Sequence, residues 1–399
     1  MLTSSSSSSS SAFSTPQLSR ADNRRDFHIS WLATFLFFVA FYGLIVPLPR
    51  YLIGLGFSDW QVGLVLGATG IASLLMRPIS GILTDRLGYR RMLLFGAISL
   101  IVGAVGVVLT TWLPLLFLLR ILQALGYVIF TTAGNALVGQ LAAPEERSSK
   151  IAYFGLAANF AIAMTPGLTE TVLAYVGLNT VFWLVGSIAA TAGILSRLLR
   201  YTPQEAVEQT QQIKLSSFWR FPRLLWVPMF VSALFGVGFG AYFQFFAILL
   251  ERREIVAAPV FAAYGISIIV TRILFGRYLD RMGLTRVLIA SAIMMVSGLI
   301  MAAFGHTLLL LVTSAALIAA GGGFFHPMLI AHHVTLLPER PGWAVACFYF
   351  GFDAGLGVGA WLLGFVLDIS GLTALYLVAM LITASILFFI PILGHQQEA

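Results

Sequence analysis

The chain has 399 residues, of which 59% are hydrophobic and 10% charged, with a mean hydropathy of +0.93. A soluble protein carries roughly 25% charged residues, so this composition excludes a soluble globule and points to a polytopic membrane protein. The net charge of +7 comes without the basic runs that a nucleic-acid surface needs, and the single Cys347 excludes an internal disulfide or a paired-thiol metal site.

Residues 1–27 are polar and include the unbroken serine run Ser4–Ser11, followed by Arg20, Arg24 and Arg25. They lack the apolar core of a signal peptide and predict a disordered tail. Twelve apolar stretches of spanning length follow. They lie at 29–49, 60–83, 92–110, 113–140, 150–174, 177–197, 223–249, 258–279, 285–304, 307–333, 342–366 and 371–394. The polar interval 198–222 predicts a surface linker between two six-helix bundles, 28–197 and 223–394, with residues 395–399 as a short tail. The fold class expected is therefore an all-α membrane protein of twelve transmembrane helices in two pseudo-symmetric halves. Of the 23 Lys and Arg, 17 fall in the tail and alternate loops, Arg50, Arg252 and Arg253 fall in the opposite loops, and Arg77, Arg120 and Arg272 fall inside spans. Positive charge favours the cytoplasmic side, so both termini are expected there, in a plasma or inner membrane.

The halves share sequence. At an offset of 195, Gly70 meets Gly265, Arg77 meets Arg272, and Gly81, Asp85, Arg86, Gly88 and Arg91 meet Gly276, Asp280, Arg281, Gly283 and Arg286. Arg90 meets Thr285. Such a match predicts two structural repeats with a site between them.

The first copy, Gly81-Ile-Leu-Thr-Asp85-Arg86-Leu-Gly88-Tyr-Arg90-Arg91, resembles the GxLxDRxGxRR signature of the major facilitator superfamily. The second copy lies where that family places its partner. The resemblance covers everything after the tail. It implies a gate motif in which Asp85 faces the start of helix 11 near Pro341-Gly342-Trp343, and Asp280 the start of helix 5 near Ser148-Ser149. Arg120-Ile-Leu-Gln123-Ala-Leu-Gly126 resembles the RxxQGxG element of proton-coupled members, with Ala124 in place of glycine. Helix 5 departs from the drug–proton antiporter pattern, with Thr165-Pro166 where glycine-proline is expected.

A charge inside a span is costly and marks a task or a partner. Asp353 lies ~16 Å into helix 11 and is the best candidate proton carrier; a structural carboxyl between close helices is the alternative. Arg120 is expected to pair with a carboxylate, contact an anionic substrate or assist proton release, or else to snorkel outward. Glu170 suits an outer gate or a proton path. Arg77 and Arg272 are read as snorkelling to lipid phosphates, with an inner-gate role as the other option. Tyr42, Asn135, Asn159, Tyr242, Gln244, His326 and Tyr349 interrupt apolar spans and are expected to line an aromatic, acid-poor cavity. No catalytic pair, nucleotide loop, cofactor motif or metal-ligand set is visible, so neither an enzyme nor a metal site is expected. The function expected is a monomeric secondary transporter, exchanging protons for a small amphipathic or hydrophobic organic solute. Uptake with protons is the runner-up, followed by a non-transporting receptor on the same fold.

Overall fold

The computed structural model describes residues 20–141, 147–200, 221–338 and 341–398. Thirteen helices run through them: α1 (Arg20–Tyr42), α2 (Pro47–Gly54), α3 (Asp59–Leu87), α4 (Tyr89–Val107), α5 (Leu113–Leu141), α6 (Arg147–Val176), α7 (Leu178–Arg197), α8 (Trp226–Arg252), α9 (Ala257–Met282), α10 (Leu284–Phe304), α11 (Leu308–Leu336), α12 (Pro341–Ala384) and α13 (Ile386–Glu398). No strand occurs among the described residues. Helix is the expected answer for such sequences, because a chain in hydrocarbon must satisfy its backbone hydrogen bonds within each segment.

Nine helical stretches among the described residues are long and apolar enough to cross a bilayer. The longest, Trp343–Gly394, makes two passes, because Gly371 leaves the helical region at φ 80° and divides α12 into two limbs. With α6 and α9, of 30 and 26 residues, this gives the twelve passes predicted.

Three boundaries differ from the sequence reading. The predicted tail extends to residue 27, yet α1 begins at Arg20. Asp26, fully buried, accepts a hydrogen bond from the Arg200 backbone N–H at 2.9 Å and so ties the entry of α1 to the end of α7. The first apolar stretch breaks after Tyr42 into a turn, and Pro47 opens the separate short helix α2. The last pass breaks at Ser385, and α13 continues to Glu398 through the segment expected as a tail. The serine run and residues 201–220 of the linker lie outside the described residues.

The repeat is visible in the backbone. Six described residues have positive φ, and they form three pairs. Gly88 (φ 83°, ψ 152°) and Gly283 (φ 78°, ψ 153°) turn α3 into α4 and α9 into α10. Gly177 and Gly371, at φ 78° and 80°, separate α6 from α7 and the two limbs of α12. Gly56 and Glu254 each lie two residues before the residue capping α3 or α9. Left-handed backbone suits glycine, which has no Cβ to clash. Glu254 is the one member of the set without that freedom.

Within the first half, α1 packs on α5, α6 and α7, and α4 on α5 and α7. Within the second, α8 packs on α12, α10 on α11 and α12, and α9 on α11. The halves meet where α3 lies against α12, α6 against α9, and α2 against α8. Glycines allow these crossings. A Cβ at Gly63 would sit 2.7 Å from the Gly364 Cα, one at Gly67 would strike the Trp361 ring, and one at Gly70 would collide with Gly357 and the Asp353 carbonyl. One at Gly265 would collide with the Ala163 backbone across the α6–α9 contact.

Candidate functional site

The central feature joins the halves. Arg77 on α3 directs Nε to Oδ2 of Asp353 on α12 at 2.5 Å. Asp353 is 2% exposed and the Arg77 side chain 16% exposed. The glycine crossing explains the reach: Gly70 presses on the Asp353 turn of α12, and Arg77 follows two helical turns later on α3. Asp353 lies ~18 Å along α12 from Pro341. A buried carboxylate with a guanidinium at this distance is compensated, and removal of either partner leaves a costly bare charge.

Aromatic rings enclose the pair. The Arg77 Cζ lies 4.2 Å from the Tyr349 ring centroid and 5.9 Å from that of Tyr127. Tyr127 stacks on Phe41 at 4.7 Å, and Phe38 stacks on Tyr42 at 5.4 Å. From the second half, His326 on α11 meets Phe348, Tyr349 and Phe352 edge to face at 4.8, 5.8 and 5.9 Å. Phe239 extends this wall through Phe352 at 5.3 Å and Phe243 at 4.2 Å. The predicted residues Tyr42, His326 and Tyr349 therefore belong to one aromatic environment around the ion pair.

Other predicted residues stand apart from it. Arg120 donates to Gln123 Oε1 at 2.8 Å, and Gln123 Nε2 donates to the Gly103 carbonyl at 2.8 Å, tying α5 to α4. The Arg120 Cζ lies 6.0 Å from the Phe41 ring centroid. Tyr242 is buried and stacked on Tyr264 at 4.4 Å. Gln244 donates to the Leu356 carbonyl at 3.2 Å. Asn135, exposed, donates back to the Thr131 carbonyl at 2.9 Å, and Asn159 is half-buried.

Glu170 lies at the end of the bundle opposite the termini. There Arg50 on α2 reaches Glu170 on α6 at 2.8 Å and Glu251 on α8 at 3.1 Å, bridging the halves. Arg252 pairs with Asp59 at the start of α3, and the Trp361 indole N–H donates to the Leu64 carbonyl at 3.1 Å. With the glycine contacts, these bonds close the distal end. Toward the termini, a Cβ added at Gly81 or Gly155 would meet no described atom within 4 Å.

Of the gate motif, Gly88 and Gly283 make the two matching turns, while Arg86, Arg90, Arg91 and Arg286 are exposed. Gly276, Arg281 and the latches expected of Asp85 and Asp280 fall on positions whose side-chain environment lies outside the described residues.

Arg77 is the residue that sequence reasoning assigned elsewhere. It does not snorkel; it holds Asp353. A signal existed in the repeat. The 194-residue offset between Gly177 and Gly371 also relates Asn159 to Asp353, as the neighbouring 195-residue offset relates Arg272 to Arg77. Two arginines thus occupy repeat-related positions, but only one half supplies an acid in the second position.

A two-half helical bundle with a charged pair between the halves and a closed distal end defines the architecture of a membrane transporter. The family model described as Major Facilitator Superfamily matches residues 30–258 and 254–398, and the chain belongs to that family as an integral membrane transporter. It is similar to Multidrug resistance protein 2 of Bacillus subtilis, 23% identical over 287 residues, covering 67% of this chain and 72% of that protein. It is also similar to the Escherichia coli MFS-type transporter YhhS, 26% identical over 348 residues and 84% of each chain. Its fold matches the crystal structure of the nucleoside transporter NupG with a TM-score of 0.74 at 15% identity, covering 94% of this chain and 99% of that one.

Proposed function

We propose that this protein is a proton-coupled secondary transporter of a small amphipathic organic solute, with Asp353 as the proton carrier and Arg77 as its counter-ion. The observation that carries the reading is the buried Arg77–Asp353 pair spanning the two halves. Protonation of Asp353 removes the negative partner and loosens a link between α3 and α12. One event then changes both charge and the contact between halves, which alternating access requires. The bundles 28–197 and 223–394 are the moving bodies, both termini face the cytoplasm, and the closed distal end is the outer face. The name of the Bacillus relative supports export.

A second direction is supported by the geometry itself. Asp353 is already paired with an arginine, so a cationic solute finds no free acid beside it. Entry of a solute together with a proton is the alternative that this arrangement favours.

The test is flux in proteoliposomes holding a trapped pH dye, with anionic, neutral and cationic aromatic solutes offered on either side. Solute-driven proton movement is expected in the native protein and absent in Asp353→Asn. Unchanged proton movement in that variant would reject the carrier role.

A further inference from the structure

We infer that the aromatic surroundings of the ion pair bind a small planar organic anion at Arg77, and that this anion binds together with the proton that neutralises Asp353. The inference rests on the proton-carrier reading above and, within it, selects co-transport over exchange.

Charge gives the first argument. Two arginines with described side chains, Arg77 and Arg120, lie inside spans. Against them, among the described residues, stands one acid at this depth, Asp353, because Glu170 is engaged by Arg50 at the distal end. In the repeat-related position of Asp353 the chain has Asn159. A cation entering here meets net repulsion, whereas an anion is attracted, and weak screening away from water strengthens both effects.

Unfilled donors give the second argument. Arg77 uses Nε on Asp353, but its buried Nη2 has no acceptor among the described residues. Arg120 uses Nη1 on Gln123, and its buried Nε has none. A buried donor without an acceptor is costly, and a carboxylate or sulfonate supplies the charge-assisted bonds a guanidinium accommodates best. The stacked pair Phe41–Tyr127 lies between the two guanidinium groups, with Arg120 against Phe41 and Arg77 against Tyr127. An aromatic body fits such a surface.

Competition gives the coupling. The groups facing Arg77 are Tyr127 from α5 and Asp353 and Tyr349 from α12, with His326 of α11 behind Tyr349. Asp353 is the one anion among them. A solute carboxylate and the Asp353 carboxylate compete for one guanidinium. Protonation withdraws the resident competitor, so proton and anion each favour binding of the other. The pair carries no net charge.

Calorimetric titration of the full chain in nanodiscs tests this with three matched probes: 2-naphthoate, 2-naphthamide and 2-naphthylmethylammonium. Naphthoate is expected to bind at least about tenfold more tightly than the amide, a gap of the size one charge-assisted contact gives, and the ammonium least. Its affinity should rise from about pH 8 to about pH 6, a range in which naphthoate itself stays ionised. Titrations in buffers of different ionisation heat should show proton uptake. Arg77→Gln should lose naphthoate binding and Arg77→Lys recover part of it. Asp353→Asn should bind tightly, without pH dependence or proton uptake, which separates the role of charge from misfolding. Preference for the ammonium probe, an affinity unmoved by Arg77→Gln, proton release on binding, or no naphthoate binding would overturn the inference. Arg77-dependent naphthoate binding with proton uptake, but no proteoliposome flux, would leave the inference standing and reject the proposed proton-coupled transport alone.

Discussion

Gly70 and Gly265 stand 195 residues apart, and each presses backbone to backbone on a helix of the opposite half: Gly70 on α12 at Gly357, Gly265 on α6 at Ala163. The repeat thus supplies a matched pair of joints. Gly70→Leu is expected to force α3 from α12 and to disfavour the closed distal end by about 1–3 kcal/mol, the usual cost of overpacking. Spin labels placed at the starts of α3 and α9 should report longer distances. Gly81→Leu, on the same helix in open space, should leave them unchanged.

Arg50 contacts two acids, one from each half, while itself partly exposed. Each such pair contributes ~1 kcal/mol or less. Arg50→Ala should therefore open the distal end less than Gly70→Leu does. Salt near 1 M, where the Debye length is about 3 Å, should reproduce part of the effect in the native protein. A salt-insensitive distal end would show that the uncharged contacts, the glycine crossings and the Trp361–Leu64 bond, hold it.

The buried pair makes a different prediction. Asp353→Ala leaves the Arg77 guanidinium without its carboxylate and should destabilise the fold by about 3–5 kcal/mol. The double variant Asp353→Asn with Arg77→Gln removes both charges and should recover much of that loss. Thermal unfolding in detergent, following helix content, orders the three proteins.

Glu254 adopts φ 55° where its repeat counterpart is Gly56. Left-handed backbone costs an L residue roughly 1–2 kcal/mol. Glu254→Gly should therefore raise stability by about 1 kcal/mol, less the added freedom of glycine in the unfolded chain. An unchanged or lower melting temperature would show that the Glu254 side chain contributes more than its backbone costs.

Much of the architecture was legible because lipid permits few solutions. Apolar length gave the passes, and the offset between Gly70 and Gly265 gave the repeat before any contact was known. The breaks at Gly43–Val46 and Ser385 were not legible, because both lie inside apolar runs that read as continuous. Asp353 stood out as an acid in hydrocarbon. Its partner did not, since Arg77 lies 276 positions away and its distance from the end of α3 suits snorkelling equally well. Arg120 resembled a family element, and its bond to Gln123 is the local i, i+3 contact that such spacing permits on any helix. Glu170 needed Arg50, and Arg50 needed the short helix α2 that the sequence merged into the first span.

The mirror positions of Asp353 and Asn159 bear on stoichiometry. Under the proposed mechanism, a duplicated scaffold holds, among the described residues, one titratable carboxyl at this depth and an amide in the matching place. Two-fold architecture then carries single-site chemistry, and each cycle moves one proton through this level. Asn159→Asp supplies the missing twin, and a second proton per cycle is the yield that a symmetric version of this molecule would have had.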